Sequence, residues 1–378
     1  MSRKTAYIGL GSNLGDRGRF IEDALQMLGQ TPDAELANSS EAIETTPLAD
    51  INQPKYLNAV AELKTELSAE NVHRRLIEIE NSLERGRGRR WSSRNIDLDL
   101  LLFDNEIINT DTLIVPHPQM HLRSFVLSGL CRLNRKLVHP ILNETVEVIA
   151  GRLNGCDFAP LIDKPRLISI AGNIGAGKTT LTKKLAEALS CRAILEAYDT
   201  NPYLPKVYAG NKELALSSQL YFLTSRVEQL NPSIREKNNP VVSDYVFQKE
   251  QIYAKLTLSK EQFTLYQKVY SQVAPGVINP ALVIYLTGPP KVCLERIHKR
   301  NRAYEQKIEI SFLEAIDAGY KELVAGWRLS PVITLNDFDC FDDKAVSGLA
   351  EQVKYYVMPP FTSPVRPTEE HYESRKND

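Results

Sequence analysis

Two short stretches of this sequence hold residue types suited to a metal–phosphate complex. One is Gly172-Asn-Ile-Gly-Ala-Gly-Lys-Thr179, which fits G-x-x-x-x-G-K-[ST]. In that pattern the backbone N–H groups of Gly172, Asn173, Ile174, Gly175, Ala176, Gly177 and the following Lys178, Thr179 and Thr180 close around phosphate oxygens. Lys178 reaches the β/γ-phosphates and Thr179 is a Mg²⁺ ligand. The other stretch holds Arg85, Arg87, Arg89, Arg90 and Arg94, then Asp97 and Asp99. Residues two apart on a strand share a face about 7 Å apart, so the two carboxylates can hold Mg²⁺ between them as hard oxygen ligands. Guanidinium forks suit phosphate. The acid pair alone reads equally as a solvated strand face, and the arginines alone as a solvated loop. Their combination in one segment points to chemistry.

These residues need elements to position them. Residues 166–171 form an apolar run of strand length, and Leu181, Leu185, Ala188 and Leu189 recur at helical spacing. The glycine-rich loop therefore joins a strand to a helix whose N-terminus adds partial positive charge. Such a loop normally follows the first strand of its domain, and here enough chain for a separate domain precedes it. At roughly 150 residues per domain, two domains are expected in 378 residues.

In the first half, residues 5–10 read as a strand running into a turn-rich loop at 11–16. Phe20, Ala24, Leu25 and Leu28 mark a helix ending near Gly29, and Val72, Leu76, Ile79 and Leu83 mark a second. Between them residues 56–63 alternate as a strand, with Tyr56 and Asn58 on one face and Leu57, Ala59 and Ala61 on the other. From Ile96 to Leu100 the alternation is again that of a strand, with Asp97 and Asp99 opposite the leucines.

Periodicity fails and turn formers gather at residues 153–165, where the boundary belongs. Beyond the glycine loop, residues 192–196 read as a strand ending in Glu196, either a general base at the carboxyl edge of a sheet or a surface or capping carboxylate. Residues 240–244 form another, ending in Asp244, and 281–287 a further one. Gln219, Phe222, Leu223 and Arg226 share one side of a helix, which suits a nucleobase, though Phe222 and Leu223 serve equally well as core. Residues 295–305 read as a helix on which Arg296 and Arg300, with Arg302 shortly after, form a basic lid. The tail from Pro359 is polar and proline-bearing, and is expected to be disordered.

Composition narrows the partners. With 43 % apolar and 25 % charged residues and a net charge of −1, nothing suggests a nucleic-acid or membrane surface. Five scattered cysteines without C-x-x-C spacing, and no membrane-length run, fit a reducing cytoplasm.

Residues 4–155 resemble the 6-hydroxymethyl-7,8-dihydropterin pyrophosphokinases of folate biosynthesis. The match is carried by residues 6–14, 53–58, 79–83, 90–99 and 116–127, among them Arg90-Trp-Ser-Ser-Arg-Asn-Ile-Asp-Leu-Asp99. The resemblance implies a ferredoxin-like α+β fold, two Mg²⁺ on Asp97 and Asp99, and ATP phosphates on Arg85, Arg87, Arg94, His117 and Arg123. It implies a pterin between Tyr56 and Phe125, its edge read by Asn58 and the backbone near Thr45 and Leu48. Glu84 stands where glycine is usual, and Ser92-Ser93 where Gly-Pro is common.

Residues 166–358 resemble deoxynucleoside kinases, particularly the bacterial deoxyadenosine/deoxyguanosine branch. This resemblance implies that Glu196 takes the 5′-hydroxyl proton, that Gln219 and Arg226 contact the base, and that Tyr208 and Glu305 hold the 3′-hydroxyl. It implies a lid of Arg296, Arg300 and Arg302, adenine near residues 337–339, and a homodimer. Ala197 follows Glu196 where proline is common, and Asp244-Tyr-Val replaces acid-Arg-Ser.

The expectation is thus an α+β ferredoxin-like domain at 1–158 followed by an α/β P-loop domain with a parallel sheet at 166–358. The chain would be a bifunctional ATP-dependent transferase using Mg²⁺, acting on small molecules in the cytoplasm. The alternative is an active deoxynucleoside or nucleoside-monophosphate kinase fused to a catalytically silent pterin- or nucleotide-binding module.

Overall fold

In the computed structural model of this chain, residues 3–47, 53–83, 95–158, 166–231 and 240–357 are described. The chain divides between residues 160 and 161 into two units, each with its own sheet. In the first, β1 (Lys4–Ser12), β2 (Ala34–Ser39), β3 (Ile43–Thr45), β4 (Tyr56–Thr65) and β5 (Asp97–Phe103) pair antiparallel. The order is β2-β4-β1-β5, with β3 also on β4. Helices α1 (Arg17–Gly29) and α2 (Ala69–Leu83) occupy the β1–β2 and β4–β5 connections.

Period-two alternation sends Ile8 and Leu10, Ala59, Ala61 and Leu63, and Leu98 and Leu100 to one face, which packs on Ile21, Ala24 and Leu28 of α1 and Val72, Leu76 and Ile79 of α2. The other face is built differently. Gly11 of β1 lies opposite Asn58 of β4 and Asp97 of β5, and Gly9 lies opposite Asp99. Glycine in the middle strand keeps this face open between the polar side chains. After the β6 (Ile108–Asn109) and β7 (Ile114–Val115) hairpin, α3 (Ser124–Asn134) crosses that face at Gly129, where a Cβ would stand 2.5 Å from Val60 Cγ2. Strands β8 (Val138–His139) and β9 (Glu144–Thr145) and helix α4 (Val146–Leu153) complete the unit. Thr145 caps α4 by accepting from Val148 N–H.

One expectation changes here. Gly11 belongs to β1 and not to a loop, because its neighbours on both sides pair with it. Strands β2 and β3 went unread because they are short and no residue in them is fully buried, with only Ala34 and Leu36 packing on the core.

The second unit has an all-parallel sheet in the order β11-β12-β10-β13-β14, made of β10 (Leu167–Gly172), β11 (Arg192–Ile194), β12 (Val241–Ser243), β13 (Leu282–Thr287) and β14 (Val332–Asn336). Its helices are α5 (Lys178–Ala188), α6 (Leu204–Tyr208), α7 (Ala215–Gln229), α8 (Lys249–Thr257), α9 (Lys260–Val273), α10 (Pro290–Arg300), α11 (Ile310–Ala325) and α12 (Asp343–Val357). β10 is buried along its whole length, as a parallel strand covered on both faces must be. Ile168, Ile170 and Ile284 pack on Leu181 and Leu185 of α5 and Leu349 and Val353 of α12. Ala171, Val283 and Tyr285 pack the opposite way, on Ile316 and Tyr320 of α11.

In α5 it is Ala186, not Ala188, that turns into the core. Helix α10 stops at Arg300, because Asn301 takes a left-handed conformation (φ 54°). Arg302 and Glu305 therefore leave the helix expected for residues 295–305. The tail expected to be disordered and the junction at 159–165 lie outside the described residues.

Candidate functional site

In the first unit a cavity of about 440 Å³ opens on the glycine face of the sheet, large enough for a small heterocycle. Tyr56, Asn58, Thr45, Asp97, Asp99, His117, Arg123 and Phe125 all line it. Its shape follows from register: adding a Cβ to Gly11 would bring it to 2.9 Å from Asn58 Oδ1. Asn58 is buried and donates to Thr45 Oγ1 at 2.8 Å, which orients its amide.

The acid pair is held from behind. Glu80, buried on α2, accepts from Leu98 N–H at 2.8 Å, so the backbone between Asp97 and Asp99 is tied to the helix. His117 Nε2 stands 3.9 Å from Asp99 Oδ1. Arg123 donates to Gln119 Oε1 at 2.7 Å. Burial lowers its guanidinium from its ordinary value, while Asp157, Asp99, Tyr56 and Asp97 oppose that shift. Among the described residues no group of three or more His, Cys, Asp or Glu side chains could hold a metal. Two carboxylates alone suit an ion that keeps phosphate oxygens and water as its other ligands, as Mg²⁺ does. Arg85, Arg87, Arg94 and Leu48 lie outside the described residues.

In the second unit a cavity of about 380 Å³ lies beyond the carboxyl ends of the parallel strands. Its phosphate end is the loop from β10 to α5, where Gly175 (φ 80°) and Gly177 (φ 101°) take left-handed conformations. A Cβ on Gly175 would meet the Cys293 carbonyl oxygen at 2.5 Å. Lys178 Nζ donates to Asn173 O at 2.8 Å. Burial, and then the nearby Lys249, push its ammonium down to about 7. Thr179 Oγ1 donates to Asp244 Oδ2 at 2.7 Å, and Asp244 Oδ1 accepts from Glu196 N–H at 2.8 Å. One carboxylate thus ties the phosphate loop to the end of β11.

Glu196 sits in an alternating network of charge. Lys249 Nζ lies 2.7 Å from each Glu196 oxygen, and Arg226 bridges Glu196 to Glu250. Tyr266 Oη donates to Glu250 at 2.8 Å. Phe222 lies under the Arg226 guanidinium at 4.8 Å, so it serves the site and the core together. Gln219 and Tyr208 line the same cavity.

At the far wall Glu305, 8 % exposed in its side chain, pairs with Arg300 at 2.6 Å and Arg302 at 3.3 Å. Two of the three arginines expected to form a lid are therefore engaged by Glu305, itself expected to hold the sugar. Arg296 is exposed and does not line the cavity.

The sequence reasoning missed Lys249, Glu250 and Tyr198, whose ring stacks on Arg302 at 4.0 Å. One signal was present. A lysine opening a helix opposes the helix dipole, and such a local conflict marks a position chosen for something other than helix stability.

A glycine cradle at the carboxyl edge of a parallel sheet, with a carboxylate facing it, defines a phosphoryl-transferring P-loop enzyme. The first unit adds a second cavity, lined by Asp97, Asp99, His117 and Arg123. The family model "Deoxynucleoside kinase" matches residues 168–358, and "7,8-dihydro-6-hydroxymethylpterin-pyrophosphokinase (HPPK)" matches residues 7–135. A deoxyguanosine kinase of Bacillus subtilis is 38 % identical over 157 residues, 41 % of this chain and 76 % of that protein. A 2-amino-4-hydroxy-6-hydroxymethyldihydropteridine pyrophosphokinase of Haemophilus influenzae is 42 % identical over 149 residues, 39 % of this chain and 93 % of that protein. A solved deoxyadenosine kinase from M. mycoides covers 49 % of this chain and 96 % of its own at 25 % identity, with a TM-score of 0.42. The chain belongs to both families, with a hydroxymethylpterin pyrophosphokinase in its first part and a deoxynucleoside kinase in its second. It is a bifunctional ATP-dependent kinase.

Proposed function

We propose that residues 1–158 transfer the β,γ-pyrophosphoryl group of ATP to the hydroxymethyl oxygen of 6-hydroxymethyl-7,8-dihydropterin, releasing AMP, and that residues 166–358 transfer the γ-phosphoryl group to a deoxynucleoside 5′-hydroxyl. The observation that carries this reading is that each cavity has its own acids and cations. Asp97, Asp99, Arg123 and His117 line one, and Glu196, Lys249 and Lys178 line the other. The β1-α1-β2-β4-α2-β5 succession with strand order β2-β4-β1-β5 supports a ferredoxin-like fold for the first unit.

In the first site Tyr56 and Phe125 offer stacking faces to the pterin, and Asn58 with the backbone near Thr45 and Leu48 reads its edge. Arg123 and His117 act with Arg85, Arg87 and Arg94 on the phosphates. In the second, Gln219 and Arg226 meet the base, Tyr208 and Glu305 the 3′-hydroxyl, and Arg296, Arg300 and Arg302 close over ATP, whose adenine lies near residues 337–339. Asp97 and Asp99 in one site, and Thr179 with Asp244 in the other, present the hard oxygen donors that fit Mg²⁺. When bound, Mg²⁺ neutralises charge on the phosphates. We also place the protein in the cytoplasm as a homodimer through the kinase part, without a nucleic-acid partner. Its five free cysteines are compatible with that compartment, and among the described residues no helix is long and apolar enough to cross a membrane.

Lys178→Ala should lower deoxynucleoside phosphorylation by about 10²–10³-fold or more while AMP release with the pterin is unchanged, and Asp97→Ala should do the reverse. If the wild-type chain releases no AMP with hydroxymethyl-dihydropterin, the first unit is a silent binding module.

A further inference from the structure

We propose that Lys249 is a positioning residue for the kinase reaction: its ammonium clamps both oxygens of Glu196 and aims that carboxylate at the point where the nucleoside 5′-oxygen meets the triphosphate. The inference rests on the reading of Glu196 as acceptor of the 5′-hydroxyl proton.

The geometry is that of a clamp. Lys249 Nζ lies 2.7 Å from Oε1 and 2.7 Å from Oε2 of Glu196, and the lysine side chain is only 3 % exposed. The ammonium also lies over the rings of Tyr245 and Tyr253, 5.8 and 5.3 Å from their centroids. An ammonium held by two rings and two oxygens has few positions left to it. Tyr245, which follows the strand-end acid Asp244, is fully buried and supplies no cation there. The positive charge comes instead from the first residue of α8.

The surroundings place the clamp between phosphate and nucleoside. Lys249 lowers the Lys178 ammonium more than any influence except burial, so the two cations lie within electrostatic reach. On its other side are Arg226 from α7 and Glu250 from α8, with Asp244 beyond the end of β12. Burial and Arg226 push the Lys249 ammonium down, while Glu250 and Asp244 oppose that. Arg226 and Lys249 against Glu196 and Glu250 make a neutral set of four, so removing one member leaves a buried charge uncompensated.

In the reaction the 5′-O–H proton passes to the Glu196 carboxylate as the 5′-O–Pγ bond forms. The bond from Pγ to the β,γ-bridging oxygen breaks, and ADP leaves with that electron pair. Because the transition state is loose, the carboxylate accepts its proton late, and orientation weighs more than basicity. A cation on both oxygens supplies orientation. It lowers basicity as well, which a loose transition state tolerates.

The test is a cycle of Lys249→Met, Lys249→Arg, Glu196→Gln and the double variant, assayed in the full chain with a saturating deoxynucleoside. Lys249→Met should lower kcat about 10²–10³-fold with little change in the nucleoside KM. Lys249→Arg should recover most of the loss. On the Glu196→Gln background, Lys249→Met should cost almost nothing more, because its effect runs through that carboxylate. The double variant also lacks the stranded charge, so it remains informative if Lys249→Met alone unfolds. A full further loss on that background overturns the proposal, as does a Lys249→Met enzyme that changes only its melting temperature. Wild-type kcat in Glu196→Gln would instead refute the reading of Glu196 itself.

Discussion

The two cavities of this ATP-dependent kinase are built with opposite architecture. In the pterin part the polar side chains stand on the face of an antiparallel sheet, where Asn58, Gly11 and Asp97 are opposite one another on three adjacent strands. In the kinase part Lys178, Glu196, Asp244 and Lys249 come from four different segments beyond the ends of parallel strands. Strand pairing sets the spacing of the first set, so that site is sensitive to side-chain volume. Charge balance among side chains positions the second, and it is sensitive to the loss of any one partner.

This contrast can be broken by filling the glycine face. Gly11→Val would drive carbon into the space that Asn58 Oδ1 now borders at 2.9 Å. Displacement of that order should cost roughly 100-fold in kcat/KM for the pterin and leave nucleoside phosphorylation unchanged. Unaltered pterin turnover would mean that the sheet face is not where the substrate lies.

A smaller effect is expected from the support behind the acid pair. Glu80→Ala leaves the buried Leu98 N–H without its acceptor, at a cost of about 1–3 kcal/mol. Calorimetry should show the unfolding of the first unit at lower temperature with that of the second unmoved, and AMP release should fall with it. A melting transition unchanged in both units would remove Glu80 from this role.

The smallest effect sharpens the electrical side of the comparison. Lys178, with its pKa pushed down to about 7, is largely neutral at pH 8 in the free protein and regains its proton beside a triphosphate. Titration calorimetry of ATP into the Asp97→Ala chain, in buffers of different ionisation enthalpy, should therefore show uptake approaching one proton at pH 8 and none below about pH 6. Lys178→Met should abolish it. The same shift makes the ligand-free unit gain stability as pH rises from about 7 towards 10.5, since the unfolded chain then binds the extra proton. Arg123 in the other site keeps its charge throughout, so it takes up no such proton when phosphate binds.

Much of both sites was legible in the chain because their key residues are close in sequence. The glycine loop and the Asp97–Asp99 pair are local patterns whose geometry follows from one strand or one strand–helix turn. Arg302 and Glu305 were misplaced on a helix because a left-handed Asn301 stops α10 one turn early, and asparagine signals that weakly. Gly11 looked like a turn residue, and only its partners on both sides make it part of a strand.

The sequence by itself determined the kind of chemistry: a triphosphate cradle, a carboxylate pair on one strand face, and two families joined in one chain, because each is written in short spacings that backbone geometry converts directly into positions. Tertiary structure alone decided that Glu80 ties down the acid pair from α2 and that Lys249 grips Glu196. These partners are separated by 18 and 53 positions along the chain, and no periodicity links residues that only packing brings together.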